Sequence, residues 1–85
     1  MNKVIIDVRE PAEFNSGHVE GAINVPLSGF HQVPQAISGI PKDDEVILYC
    51  QSGNRSNQAM MLLRSWGFTN VTNGINRQNV ESSLA

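Results

Sequence analysis

The chain holds one cysteine, Cys50. A single thiol excludes an internal disulfide and any zinc site built from several thiolates. The two histidines, His18 and His31, lie far apart without ligand spacing, so no metal is expected. Charge is sparse, at 16% of residues, with a formal net charge of -2 and no basic block. That argues against nucleic acid or an anionic membrane surface as a partner. No apolar run approaches the roughly 20 residues that span a bilayer. The N-terminus, "MNKVIIDVRE", reaches acidic residues too early for a signal peptide. The expected compartment is the cytoplasm, or the periplasm if a leader has been removed. There is no internal repeat, low-complexity tract or linker, and 85 residues make one domain, 1–85.

What is present alternates between two periods. "KVIIDV", residues 3–8, is a short β-branched run read as a buried strand. Pro11 suits the first turn of a short helix that Gly17 stops. A brief strand follows at 22–25, ended by Pro26. Val33, Ile37 and Ile40 fall at helical spacing and predict a short helix within 27–40, with Pro34 near its start. "EVILYC", residues 45–50, is apolar on both faces, as in a central parallel strand. Residues 54–66 predict a helix with Ala59, Met60, Leu62, Leu63 and Trp66 as its core stripe and Gly67 as its stop. "FTNV" reads as a last strand, and the remainder as a turn and a weak terminal helix. This alternation predicts an α/β fold: a three-layer α/β/α sandwich with a mostly parallel central sheet.

Cys50 falls where the central strand ends and a helix is about to begin. Ligands bind there in parallel sheets, outside the carboxyl ends of the strands. The connecting residues Gln51, Ser52, Gly53 and Asn54 are small or polar. Gly53 and Asn54 tolerate positive φ, so the backbone can curl and turn successive N–H groups inward as an anion nest. The helix N-terminus adds unpaired N–H groups and a positive dipole end. A thiol at the centre ionises more easily. Arg55 would add a permanent charge or brace the loop, and Ser56 would cap the helix. A buried, inert cysteine on an ordinary strand–helix turn is the other reading of the same residues. The glycine-rich phosphate loop, Gly-x4-Gly-Lys-Ser/Thr, is absent.

"IIDVREPAEFNSGHVEGAINVP", residues 5–26, together with "YCQSGNRS" downstream, resembles the rhodanese-like domains. The resemblance implies a single small sulfurtransferase domain of the thiosulfate sulfurtransferase type. Cys50 would be the nucleophile that carries sulfur as a persulfide. Gln51, Ser52, Gly53, Asn54, Arg55 and Ser56 would hold the persulfide charge, with no cofactor. The implied partners are a small sulfur donor and a thiophilic acceptor, with a sulfur-delivering protein as a further candidate. No nucleic acid or membrane is implied, and a monomer is expected. Related phosphatases and arsenate reductases have five residues between Cys and Arg. Four separate Cys50 from Arg55, a ring sized for sulfur rather than a tetrahedral phosphate.

Other residues have plainer expected roles. Asp7 and Arg9 read as a structural ion pair, with the pocket rim as the functional alternative. His18 reads as bonding backbone, Gly17 and Gly21 as turn glycines, Asn24 as a backbone-binding polar residue, and Met60 and Met61 as helix packing. Three features depart from the family pattern. Gln51 and Ser52 are neutral where many relatives carry Arg or Lys. Asn73-Gly74-Ile75-Asn76 replaces a Gly-Gly turn and its aromatic wall, with Asn73 expected to take positive φ. Almost nothing precedes Val4, which reads as a minimal version or a domain from a longer protein.

Overall fold

In the computed structural model, which describes residues 3–84, the run at 45–50 forms strand β3, Glu45–Cys50. Its alternation decides the layers. Val46, Leu48 and Cys50 point to one face, and Ile47 and Tyr49 to the other, and all five are buried. Both faces must therefore be covered, as parallel sheets require.

The preceding elements are strand β1 (Lys3–Asp7), helix α1 (Pro11–Asn15) and the two-residue strand β2 (Ile23–Asn24). After β3 come helix α2 (Asn54–Ser65), strand β4 (Val71–Asn76) and helix α3 (Arg77–Leu84). The four strands are parallel throughout, in the order β2-β1-β3-β4. Ala59 and Leu63 of α2 pack with Ile6, Val46 and Leu48 on one face. Val80 of α3 and Phe14 of α1 pack with Ile47 and Tyr49 on the other. The expected three-layer α/β/α sandwich is what these two clusters build.

The chain leaves β1 outward to β2 and leaves β3 outward in the opposite direction to β4. The carboxyl ends of β1 and β3 thus flank a topological switch point, where the diverging connections leave a crevice. Cys50 is the last residue of β3.

Two expectations from sequence are corrected. Residues 27–40 do not form one helix. They form two short 3₁₀ turns, Leu27–Gly29 and Gln35–Ile37. Pro34, lacking an N–H, stands at the start of the second and prevents the first from continuing. Ile37 still reaches the core, and so does Phe30, which stacks on Trp66 with ring centroids 6.2 Å apart. The last strand also lies later than "FTNV", at Val71–Asn76, so the predicted turn is inside the strand.

Positive φ falls on Ile75 (φ 75), not on Asn73. The cause is a bulge. Leu48 pairs with Asn73 and Tyr49 with Ile75, which leaves Gly74 as the extra residue. Gly74 has no room for a side chain: a Cβ there would stand 2.5 Å from Val80 Cγ2 and 2.9 Å from Ile47 Cγ2. Met61 also departs from its expected packing role, being 61% exposed, while Met60 packs against the core.

Gly74→Ala is expected to lower the unfolding free energy by about 1–3 kcal/mol, the usual result of overpacking a filled site. Urea denaturation would show it. An unchanged midpoint would mean that Val80 and Ile47 yield freely.

Candidate active site at the carboxyl end of the third strand

The site is built around one buried sulfur. Cys50 is 2% exposed. After it the backbone turns through Gln51 and Ser52 to Gly53, whose φ of 94 lies in the left-handed region that glycine enters without penalty. That turn aims the Gly53 N–H at Cys50 Sγ, 3.0 Å away. The backbone N–H groups of Ser52 and Ser56 also favour the anion electrostatically. The Ser56 hydroxyl lies 3.5 Å from it. Burial pushes the thiol up, but the Ser56 hydroxyl and the N–H groups of Ser56, Ser52 and Gly53 favour the anion more, leaving it lowered from 9.0 to about 7. The thiol therefore ionises more readily than an ordinary cysteine, without a histidine base.

Gly53, not Ser56, is the residue that caps α2, and no side chain bonds the cap. Ser56 sits one turn in and is fully buried. Its hydroxyl donates to Asn73 Oδ1 at 2.6 Å, and Asn73 Nδ2 donates to the Gly53 carbonyl at 3.0 Å. The bulge in β4 therefore ties the loop and the first turn of α2 together.

Arg55 does not stand free over the sulfur. Its guanidinium grips Glu13 of α1 with two bonds, of 2.7 Å and 3.0 Å. Glu13 is placed by a capping box, in which its carboxylate accepts from the Glu10 N–H at 3.0 Å. Arg55 first, and then that N–H, hold the Glu13 carboxyl down from 4.5 to about 2. Arg55 still bears electrostatically on Cys50.

Asp7 and Arg9 bind one another rather than standing open. Asp7 is fully buried, and Arg9 Nε and Nη2 donate to its carboxylate at 2.7 to 3.0 Å. Arg9 also donates to the Gly17 carbonyl at 2.7 Å and lies over the Tyr49 ring at 5.5 Å. His18 Nδ1 lies 2.9 Å from the Phe14 carbonyl and stacks on that ring. Asn24 donates to the Asp7 and Arg9 carbonyls, both at 2.9 Å. Gln51, Ser52 and Asn54 are exposed around the turn.

Sequence reasoning missed the site roles of Glu13, Asn73 and Ile75. Glu13 lies 42 residues from Arg55, and Asn73 lies 17 from Ser56, separations at which no local period gives a signal. Among the described residues no group of three or more His, Cys, Asp or Glu side chains stands ready to hold a metal. No helix among them is long and apolar enough to cross a membrane.

The structure is a parallel α/β sandwich whose central strand ends in a buried thiol that accepts a backbone N–H. The sequence model of the Rhodanese-like domain family matches residues 1–75, and the chain belongs to that family. It is 40% identical over 70 residues to a sulfurtransferase of Allochromatium vinosum, covering 82% of this chain and 63% of the relative. It is 43% identical over 70 residues to thiosulfate sulfurtransferase PspE of Escherichia coli, covering 80% and 64%. In structure it resembles a rhodanese from E. coli, with a TM-score of 0.78 and 36% identity over 91% of this chain and 89% of that one. The chain spans between 52% and 64% of the length of these and other curated relatives.

Two outcomes are expected. The rate of Cys50 alkylation by iodoacetamide should rise with pH through about 7, rather than through the ordinary 9.0. A midpoint near that of a free thiol would contradict the hydrogen bonding at the sulfur. Glu13 has a folded-state value below its unfolded one, so its ion pair stabilises fully above 4.5 and is lost as pH falls toward 2. The thermal-midpoint advantage of the native protein over Glu13→Gln should shrink over that window, and a constant difference would contradict it.

Proposed function

We propose that this domain is a sulfurtransferase carrying sulfane sulfur as a persulfide on Cys50. One observation carries the reading: buried Cys50 Sγ accepts the Gly53 N–H at 3.0 Å, at the N-terminus of α2, with the Ser56 hydroxyl 3.5 Å away. Such a setting stabilises a thiolate, and it stabilises equally a persulfide anion placed one atom further out. The thiosulfate sulfurtransferase named among the relatives supports the donor class, and the similar E. coli rhodanese is described with anions.

The chemistry balances without a cofactor. The Cys50 thiolate attacks the outer sulfur of thiosulfate, an S–S bond forms, and the original S–S bond breaks to release sulfite. The enzyme now holds Cys50–S–S⁻. A nucleophilic acceptor such as cyanide attacks the outer sulfur, thiocyanate leaves, and the Cys50 thiolate returns. The N–H groups follow the negative charge through both displacements. Gln51 and Asn54 contribute backbone to the turn, and Arg55 holds it through Glu13.

A second reading draws on a specific feature. Gln51 and Ser52 are neutral, and Arg55 is gripped by Glu13. A dianion such as thiosulfate then meets little uncompensated positive charge at the loop. This favours a donor that presents its persulfide on another protein, with Cys50 as a relay.

Incubation with thiosulfate is expected to add the mass of one sulfur atom at Cys50, and cyanide to remove it as thiocyanate. Cys50→Ala should do neither. Absence of the adduct, or full activity in Cys50→Ala, would sink the proposal. Slow loading from thiosulfate beside fast loading from a cysteine desulfurase would select the relay reading.

A further inference from the structure

Asn73, one of the departures from the family pattern, bonds the cysteine loop at Gly53 and the first turn of α2 at Ser56. Its amide has one possible orientation. Nδ2 must donate to the Gly53 carbonyl at 3.0 Å, and Oδ1 must accept the Ile75 N–H at 3.0 Å. Oδ1 is therefore also the acceptor that faces the Ser56 hydroxyl at 2.6 Å. Ser56 has a single hydroxyl hydrogen, and two groups compete for it: Asn73 Oδ1 and Cys50 Sγ, which is 3.5 Å away.

We propose that Asn73 is a positioning residue for Cys50, acting through the Ser56 hydroxyl, whose hydrogen points to Asn73 while Cys50 is a thiol and to the sulfur once it is an anion. In the thiol form the chain of donors runs from Cys50 S–H to Ser56 Oγ and from Ser56 O–H to Asn73 Oδ1. When the thiol proton leaves to solvent, Ser56 loses its donor and its own hydrogen turns to the sulfur. No bond between heavy atoms forms or breaks, and no backbone moves. Asn73 keeps the Ile75 N–H and the Gly53 carbonyl, so it remains in place for the return.

The rigidity of this arrangement shows in Ile75. A β-branched residue at φ 75 is strained. Its N–H is nonetheless fixed on Asn73, and strain held in this way clusters at working sites. The charged groups bearing on this end of the sheet are Arg55 of α2, with Glu13 and Glu10 of α1 acting on it. Asp7, the last residue of β1, and Arg9 just after it bind each other. The loop and the β4 bulge bring Gln51, Ser52, Gly53, Asn54, Asn73, Gly74 and Ile75, none of them titratable.

The inference rests on Cys50 being the working nucleophile, but its test reads ionisation without turnover. The pH midpoint of iodoacetamide alkylation is measured for the native chain, Asn73→Asp, Ser56→Ala and the double variant. An aspartate at 73 holds the Ser56 hydrogen more tightly and cannot bond the Gly53 carbonyl. Asn73→Asp should raise the midpoint by about one unit, which is roughly tenfold less thiolate below the midpoint. Ser56→Ala should raise it too. Added to Ser56→Ala, Asn73→Asp should then produce less than half of its own shift. An equal shift in both backgrounds, or no shift, overturns the proposal. Should Asn73→Asp fail to fold by circular dichroism, Asn73→Ala enters the same cycle under the same criterion. An unmoved midpoint with normal persulfide formation refutes this inference alone. A coupled midpoint with no persulfide refutes the sulfurtransferase reading alone.

Discussion

The structure turns on where a buried parallel strand ends. β3 is covered on both faces, so its last residue, Cys50, cannot reach open water through the side of the sheet. Burial alone would keep its thiol neutral and inert. The loop reverses that outcome: the Gly53 N–H bonds the sulfur, the Ser56 hydroxyl lies 3.5 Å from it, and the N–H groups of Ser52 and Ser56 add to the field that favours the anion. A backbone amide is a fixed partial charge in a low-dielectric surrounding, so it does more for an anion there than it would in water.

The site needs walls, and three elements supply them. α2 provides the N-terminal N–H groups and the Ser56 hydroxyl. α1 holds Arg55 through Glu13, a contact between side chains each only about a third exposed, at 32%. β4 holds the loop from the other side through Asn73. The bulge at Gly74 makes this third wall possible, because it carries Asn73 and Ile75 into position around a residue with no side chain. In a regular strand Leu48 and Tyr49 would face adjacent residues; here they face Asn73 and Ile75.

Asp7 and Arg9 illustrate a different use of charge. Their bidentate pair beside the switch point ties the end of β1 to the Gly17 turn and to Tyr49. Tyr49 in turn accepts the Val19 N–H at 3.0 Å. An ion pair thus fixes the end of β1, while at the end of β3 a backbone N–H meets the sulfur.

The sequence by itself determined the layered α/β architecture, the central strand, the long helix and the place of Cys50. Those features follow from local periods: two-faced hydrophobicity in "EVILYC", a helical stripe from Ala59 to Leu63, and a glycine where the turn must curl. It misjudged residues 27–40, where helical spacing was present but Pro34 broke the hydrogen-bond ladder. It also placed positive φ on Asn73, because a tolerant residue type was visible and a bulge was not. Tertiary structure alone decided the partners of Arg55, Ser56 and Asn73. Those contacts join positions 42 and 17 residues apart, and they exist only once the sheet has brought the ends of β1, β3 and β4 together.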